Sequence, residues 1–173
     1  MPVESALIVP IPETEFLVSR FRDRFDPSAA TGVPAHVTLL YPFKPPQELG
    51  TEVIGSLTEL FTRVECFATS FTCVKRFPGV LYLAPEPDEE FRRLTNWIAK
   101  TFPETPAYGG KFAEVIPHLT IADVDNSELL EVIAAEFERE ANRCLPIQAV
   151  IKEVSLIDNE SGRWATRQRF CLG

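Results

Sequence analysis

The sequence predicts an α/β (α+β) fold of two pseudo-symmetric lobes, in which antiparallel-rich sheets carry helices on the outside and enclose a central cleft. Three observations support this prediction. Strand and helix patterns alternate along the chain. The order strand, helix, strand, helix, strand occurs over residues 5–76 and again over 80–157, and the two histidines stand at corresponding places in these repeats. A chain of 173 residues, 45% of them hydrophobic, is long enough for one such core. We therefore treat residues 1–173 as a single bilobal domain.

Hydrophobic periodicity defines the elements of the first repeat. They are, in order, a strand over residues 5–11, a helix over 13–25, a strand beginning at His36, a helix over 50–64 and a strand over 66–76. In the first helix, Leu17, Phe21 and Phe25 stand at positions i, i+4 and i+8, and the proline of Asp26-Pro27 ends the pattern. This half is thus predicted to contain three strands interleaved with two helices.

The second repeat follows the same order. Its elements are a strand over residues 80–84, a helix over 88–102, a strand beginning at His118, a helix over 127–141 and a long strand over 146–157. Asp88 is the expected N-cap of the first of these helices, and Asp125 with Glu128 resembles a capping box at the start of the second. A turn and a strand over 163–171 then complete a closing hairpin, residues 146–171.

Each histidine stands in a short motif of the form apolar, His, apolar, Thr, apolar. Residues 34–41 read PAHVTLLY, and residues 116–122 read IPHLTIA. Because alternate side chains of a strand point to the same face, His36 shares a face with Thr38, and His118 shares one with Thr120. Each motif thus places an imidazole beside a hydroxyl group on a rigid surface, and a pseudo-two-fold axis would bring the two surfaces together across the cleft.

Two imidazoles and two hydroxyl groups are suited to the cleavage of a phosphodiester bond. An imidazole titrates near neutral pH, so one ring can accept a proton while the other donates one. A threonine hydroxyl can donate a hydrogen bond to a non-bridging phosphate oxygen, where charge concentrates in the transition state. This chemistry needs no obligatory metal or cofactor, and the sequence leaves open which histidine is the base.

The paired motifs resemble those of the 2H phosphoesterase superfamily, and within it the 2′-5′ RNA ligase / RNA 2′,3′-cyclic phosphodiesterase branch. Residues 77–83, which read FPGVLYL, are similar to the mid-chain strand of that family, and residues 154–170 are similar to its C-terminal hairpin. The resemblance implies a metal-independent enzyme that opens 2′,3′-cyclic phosphates, with a weak reverse 2′-5′ joining reaction in some members. It also implies that His36 and His118 carry the acid–base roles and that Thr38 and Thr120 bind the phosphate.

Four further residues have competing interpretations. Tyr41 could stack on a base, but strand alternation places it in the core. Trp164 could belong either to the core or to a pocket wall, and Lys111, in a Gly-Gly loop, could reach a phosphate or simply be solvated. Asp123 could join His118 in a metal site, but alternation places it on the opposite strand face, so we predict no metal site.

Charge and composition narrow the expected partners. The net charge of −8 disfavours binding along an extended nucleic acid, so the expected substrate is a small nucleotide or an RNA end. No apolar run approaches the ~20 residues needed to cross a membrane, and four cysteines without a CxxC pair predict buried free thiols in a cytoplasmic protein. We expect a monomer. The alternative to an enzyme is a nucleotide- or RNA-end-binding module that keeps this fold without turnover.

Overall fold

The computed structural model describes residues 2–112 and 114–173, and the predicted α/β class is confirmed. The strands are β1 (Ser5–Pro10), β2 (His36–Leu40), β3 (Phe67–Phe77), β4 (Val80–Glu86), β5 (Leu119–Asp123), β6 (Ile147–Ile151), β7 (Glu153–Asp158) and β8 (Ala165–Cys171). The helices are α1 (Glu15–Phe25), α2 (Pro27–Ala30), α3 (Thr51–Thr62), α4 (Glu89–Thr101) and α5 (Ser127–Ala141). The four longer helices lie where apolar residues recur at helical spacing, and each buries that face.

The strands form two antiparallel four-stranded sheets. The first sheet has the strand order β2-β1-β7-β8, and the second has the order β5-β4-β3-β6. The histidine strands β2 and β5 lie at the ends of these orders and contact one another. Helix α1 follows β1 of the first sheet but packs against β5, and α4 follows β4 of the second sheet but packs against β2. Each lobe thus supplies a helix that supports the other lobe's histidine strand.

Two predictions about strands are wrong. Residues 146–157 are not one long strand, because β6 ends at Ile151, β7 begins at Glu153, and the two strands lie in different sheets. Burial explains the break, since side chains of β6 alternate between buried and exposed whereas β7 is almost wholly buried in the middle of its sheet. Strand β3 also does not lie in a sheet with the other strands of its repeat, because the two-residue turn Pro78-Gly79 holds it beside β4 as a hairpin. Neither sheet is therefore built from the strands of one predicted repeat, residues 5–76 or 80–157, alone.

A β-bulge follows the threonine of the first motif. Ile8 pairs with Thr38, but the preceding residue Leu7 pairs with Leu40, which leaves Leu39 as the extra residue. Leu39 and Leu40 are consequently both fully buried. The hydroxyl group of Thr95, on α4, donates a hydrogen bond of 2.7 Å to the Leu39 carbonyl oxygen and so satisfies a backbone group at the bulge.

The second motif has the same bulge at the same place. Tyr82 pairs with Thr120, whereas Leu81 pairs with Ala122, which leaves Ile121 as the extra residue. Ile121 and Ala122 are again both fully buried. In both strands, therefore, the alternation of side chains between faces reverses immediately after the threonine.

The helix starts differ in detail from those predicted. Asn126 rather than Asp125 caps α5, and its side-chain oxygen accepts a hydrogen bond from the Leu129 N–H. Asp88 is the N-cap residue of α4, as predicted, but its carboxylate accepts a hydrogen bond from the Arg92 guanidinium one turn along the helix and makes no capping bond to the backbone.

The cysteines are free, as predicted, but they are not buried. Cys66, Cys73 and Cys171 are exposed and Cys144 is half-buried. Cys73 and Cys171 lie at outward-facing positions of β3 and β8, so their apolar neighbours in sequence belong to the other face of each strand. Over residues 2–112 and 114–173, no helix combines the length and the apolar character that crossing a bilayer requires.

Candidate active site

The two histidine–threonine pairs lie on the partly accessible faces of their strands. His36 and Thr38 are half-buried on β2, and His118 and Thr120 have the same intermediate exposure at β5. The residues that alternate with them are fully buried: Val37, Leu39, Leu119 and Ile121. The alternation expected from the sequence is therefore observed from each histidine to its threonine, and the contact between β2 and β5 brings the two motifs together.

The two imidazoles are oriented by the same local hydrogen bond. His36 Nδ1 lies 2.8 Å from the carbonyl oxygen of Pro34, and His118 Nδ1 lies 2.7 Å from that of Ile116. A carbonyl oxygen can only accept a hydrogen bond, so Nδ1 carries a proton in both rings. In the neutral state Nε2 then holds the lone pair and can act as a base, and in the charged state Nε2 becomes a donor.

The surroundings of both histidines favour the neutral form of the imidazole. Desolvation lowers the pKa of His36 from 6.5 to about 4, and the nearby charges of Arg22 and His118 act in the same direction. The hydrogen bond to Pro34 and the carboxylate of Asp26 oppose this shift without cancelling it. Desolvation also lowers the pKa of His118, against the opposing effect of its bond to Ile116.

The bulge moves two residues away from their predicted places. Tyr41 stands five residues after His36 and was expected in the core by alternation, but its ring lies in a small cluster with Trp164, at a ring-centre distance of 6.3 Å. Its hydroxyl group donates a 2.6 Å hydrogen bond to Glu4. The corresponding residue after His118 is Asp123, which is exposed, and desolvation together with Asp26 and Asp125 raises the pKa of its carboxyl group. Within the described residues, no group of three or more His, Cys, Asp or Glu side chains is gathered as metal ligands.

Tyr108 connects the loop before the second motif to the first motif. Its backbone N–H donates to the Tyr41 carbonyl oxygen at 2.5 Å, and the Thr38 side chain lies close enough to the phenol to lower its pKa, against a larger rise caused by burial. Among the described residues, Tyr108 is the non-glycine residue with positive φ, at 51°. Tyr108 is not among the residues predicted from the sequence, and its position beside Gly109-Gly110 was the available signal.

Aromatic rings surround His118. Phe77 lies edge-on at a ring-centre distance of 5.1 Å, and Tyr82 lies at 5.5 Å while stacking on Phe77 at 4.3 Å. Neither ring was predicted from the sequence to belong to the site, although the alternation of β4 places Val80 and Tyr82 on one face beside the turn. These rings limit access of water to one side of His118, which accounts for the desolvation of its imidazole.

The remaining predicted residues have simpler surroundings. Trp164 is half-buried and packs with Tyr41 over Ala6, Ile8, Val33 and Ile157. Lys111 is exposed in the loop between Tyr108 and Phe112, both of which line a cavity beside His118. The structure thus brings Trp164 and Tyr41 together and leaves Lys111 in solvent.

A buried ion pair supports the segment that leads into His36. Arg22 is 2% exposed, and its guanidinium binds the carboxylate of Asp26 at 3.0 Å and the carbonyl oxygen of Val33 at 3.0 Å. Asp26 in turn accepts hydrogen bonds from the backbone and hydroxyl group of Ser28. This network fixes the residue before Pro34, whose carbonyl oxygen orients the imidazole of His36.

Comparisons with known proteins agree with this geometry. Residues 9–163 match the family described as the 2′-5′ RNA ligase superfamily. A Bacillus pumilus relative named "putative phosphoesterase" is 27% identical over an alignment of 180 positions that covers 96% of this chain and 95% of that protein. A Bacillus licheniformis relative with the same kind of name is 25% identical over an alignment of 173 positions that covers 96% of each chain.

Solved structures share the fold. Escherichia coli LigT complexed with 3′-AMP superposes with a TM-score of 0.62 at 14% identity, over 99% of both chains. A protein of Thermus thermophilus gives a TM-score of 0.62 at 18% identity, over 98% of this chain and 97% of the other. At these identities the structural likeness establishes the two-sheet architecture.

Proposed function

Because the chain belongs to the 2′-5′ RNA ligase superfamily, and two of its relatives are named "putative phosphoesterase", we propose that it hydrolyses the 2′,3′-cyclic phosphate of a nucleotide or of an RNA end. The observation that carries this proposal is the matched pair of imidazoles. In each, Nδ1 is committed to a backbone carbonyl oxygen, so Nε2 is the nitrogen left for substrate, and a threonine hydroxyl lies on the same strand face.

The two histidines take different roles in this proposal. His36, with its pKa lowered to about 4, remains neutral over the whole working range and accepts a proton from water. The water oxygen bonds to phosphorus, the bond from phosphorus to one ribose oxygen breaks, and that oxygen receives a proton from Nε2 of His118. The phosphate anion raises the pKa of His118 when it binds, which allows this imidazole to be protonated in the complex although it is neutral without substrate.

The threonines serve the phosphate. Thr38 and Thr120 donate hydrogen bonds to its non-bridging oxygens, and each such charge-assisted bond contributes ~1.5–3 kcal/mol. A weak reverse reaction that joins two RNA ends through a 2′-5′ linkage would use the same four residues with a ribose hydroxyl in place of water. A monomer suffices for this chemistry, since both motifs come from one chain.

The test is an assay in EDTA on a 2′,3′-cyclic nucleotide and on a short oligonucleotide with the same end, from about pH 4 to pH 9. We expect turnover of both substrates and a bell-shaped dependence of kcat/KM on pH. Because kcat/KM reports the free enzyme, in which the pKa of His118 lies below 6.5, the fall on the basic side should begin below pH 6.5. Identification of the product as the 2′- or 3′-phosphate shows which bond breaks. Nucleotide binding without turnover would instead support the binding module.

A further inference from the structure

Tyr108 joins the loop before β5 to the end of β2. Its backbone N–H donates a hydrogen bond of 2.5 Å to the carbonyl oxygen of Tyr41, three residues after Thr38. The rings of the two tyrosines also lie edge to face, with 6.3 Å between their centres. Tyr108 borders His118 as well, since both residues line the same cavity. A side chain from the second half of the sequence therefore contacts the strand of the first motif.

The phenol of Tyr108 and the hydroxyl group of Thr38 are neighbours. Burial raises the pKa of the phenol, and a hydrogen-bonding contact with the Thr38 side chain lowers it by a smaller amount. The phenol therefore keeps its proton at neutral pH. The ring is half-buried, which limits the water that would otherwise compete for the Thr38 hydroxyl group.

The number of protons decides which hydroxyl group donates when a phosphate is bound. A hydroxyl group has one proton to donate and lone pairs that accept, whereas a non-bridging oxygen of a phosphodiester can only accept. In the proposed function, Thr38 gives its proton to that oxygen, so it can only accept a hydrogen bond from Tyr108. The two bonds then run in one direction, from the phenol through Thr38 Oγ1 to the phosphate. Hydrogen bonds in such a chain polarise and strengthen one another.

The backbone of Tyr108 has a conformation that favours glycine. Its φ is 51° and its ψ is 33°, in the left-handed region, and Gly109 and Gly110 follow with φ of 63° and 77°. A glycine at position 108 would adopt these angles without the steric cost of a side chain. Strain of this kind persists where surrounding contacts impose it, and it is frequent at functional sites. Here the contacts are the bond to Tyr41 and the phenol beside Thr38.

We propose that Tyr108 is a positioning residue of the phosphate site, whose phenol donates a hydrogen bond to Thr38 and so fixes the direction in which Thr38 donates to the substrate. This inference rests on the proposed function, because that function assigns Thr38 to a phosphate oxygen. The role concerns the phosphate and not the rest of the substrate. It also makes the two threonines unequal, since the phenol acts on Thr38 independently of Thr120.

The test is a double-mutant cycle built on Tyr108→Phe, which removes the hydroxyl group and keeps the ring. We measure kcat/KM on adenosine 2′,3′-cyclic phosphate and on ribose 2′,3′-cyclic phosphate, which lacks the base. Tyr108→Phe should lower kcat/KM on both by about 10-fold, the effect of one hydrogen bond on an equilibrium constant. In a Thr38→Ala background the same change should have an effect below about twofold, whereas in a Thr120→Ala background the loss of about 10-fold should remain.

The matched control for the loop is Thr105→Ala. The hydroxyl group of Thr105 donates a hydrogen bond of 3.0 Å to the carbonyl oxygen of Phe102 within the same loop, so its removal weakens the loop and leaves Tyr108 in place. This variant should keep kcat/KM within about twofold of the unmodified protein. Equal losses from Tyr108→Phe whether or not Thr38 is present would indicate a general effect on the loop and would overturn the inference.

A binding measurement keeps the test independent of turnover. Adenosine 3′-monophosphate is titrated calorimetrically into each variant, which compares affinity for a phosphate group without a chemical step. Tyr108→Phe should weaken binding by about 10-fold when Thr38 is present and leave it unchanged in Thr38→Ala. If the unmodified protein turns over neither cyclic phosphate, the proposed function fails, while this titration still tests the pairing of Tyr108 with Thr38. Absence of binding to the unmodified protein, or unchanged kcat/KM and affinity in folded Tyr108→Phe, would overturn the inference.

Discussion

The segment that leads into His36 is packed and hydrogen-bonded, whereas the segment that leads into His118 is open to solvent. The first is held by Arg22 and Asp26, which are 2% and 5% exposed. The second includes Phe112 and Ile116, which are 61% and 39% exposed, and its ion pair between Arg92 and Glu114 lies at the surface. Even so, the two imidazoles make the same bond to the carbonyl oxygen two residues before them.

This difference indicates that the orientation of each ring is set locally. The strand geometry and the carbonyl oxygen at position i−2 are common to both motifs, so the preceding segments are free to differ. One segment is held by a buried ion pair, and the other lines a cavity beside His118. The comparison therefore separates the local features that orient both imidazoles from the segments that differ around them.

The largest effect is expected from removal of either imidazole. If the two rings are equivalent parts of one acid–base pair, His36→Ala and His118→Ala each lower kcat on a 2′,3′-cyclic nucleotide by at least ~10²-fold. Circular dichroism and thermal unfolding check that both variants keep the fold. Full activity in either variant would show that the motifs are not equivalent in function and would contradict the proposed mechanism.

The next largest effect concerns the two arginines. Arg22→Ala leaves the Asp26 carboxylate and the Val33 carbonyl oxygen buried without this partner, so we expect a loss of ~3–5 kcal/mol in the free energy of unfolding. Arg92→Ala breaks two ion pairs at the surface, with Asp88 and with Glu114, and should cost no more than ~1 kcal/mol. Urea denaturation measures both. Equal losses would mean that the two lead-in segments are supported to the same degree.

The smallest effect is a dependence of stability on pH. The pKa of His36 is about 4 in the folded chain and near 6.5 when unfolded, so between these values the unfolded chain binds more protons. Stability is therefore complete above pH 6.5 and falls as the pH is lowered towards 4, with a contribution of order 1–3 kcal/mol from this residue. His36→Gln should flatten this part of the curve in urea denaturation from pH 7 to pH 4. An unchanged slope would contradict the lowered pKa.

The sequence was sufficient to predict the motifs and their faces. Alternation correctly placed His36 with Thr38 and His118 with Thr120, because each pair is separated by one ordinary strand residue. It failed for Tyr41 because Leu39 forms a bulge, and a bulge has no distinctive sequence among buried apolar residues. The helices were predicted closely for the same reason as the motifs, since each has a regular apolar face.

Hydrophobic periodicity could not predict which strands that are distant in sequence pair with one another. After Pro146, residues 147–157 contain no glycine or proline that would mark the change of sheet near Lys152, although β6 alternates between buried and exposed side chains and β7 is almost wholly buried. The cavity was equally hidden, because its walls come from β3, β4 and the loop around Tyr108, which are distant in sequence. The cysteines were predicted to be buried because their neighbours in sequence are apolar. In the strands, those neighbours lie on the buried face, whereas the cysteines lie on the exposed face.

The exchange of strands between the repeats has a consequence for how the chain can be divided. A cut at the Pro78-Gly79 turn would leave the first fragment with β1 and β2 of one sheet and β3 of the other. The second fragment would lack the two strands that complete the first sheet and the partner of β4 and β6 in the second. The two repeats are therefore not independent folding modules, and such fragments could regain the native sheets only by complementing each other.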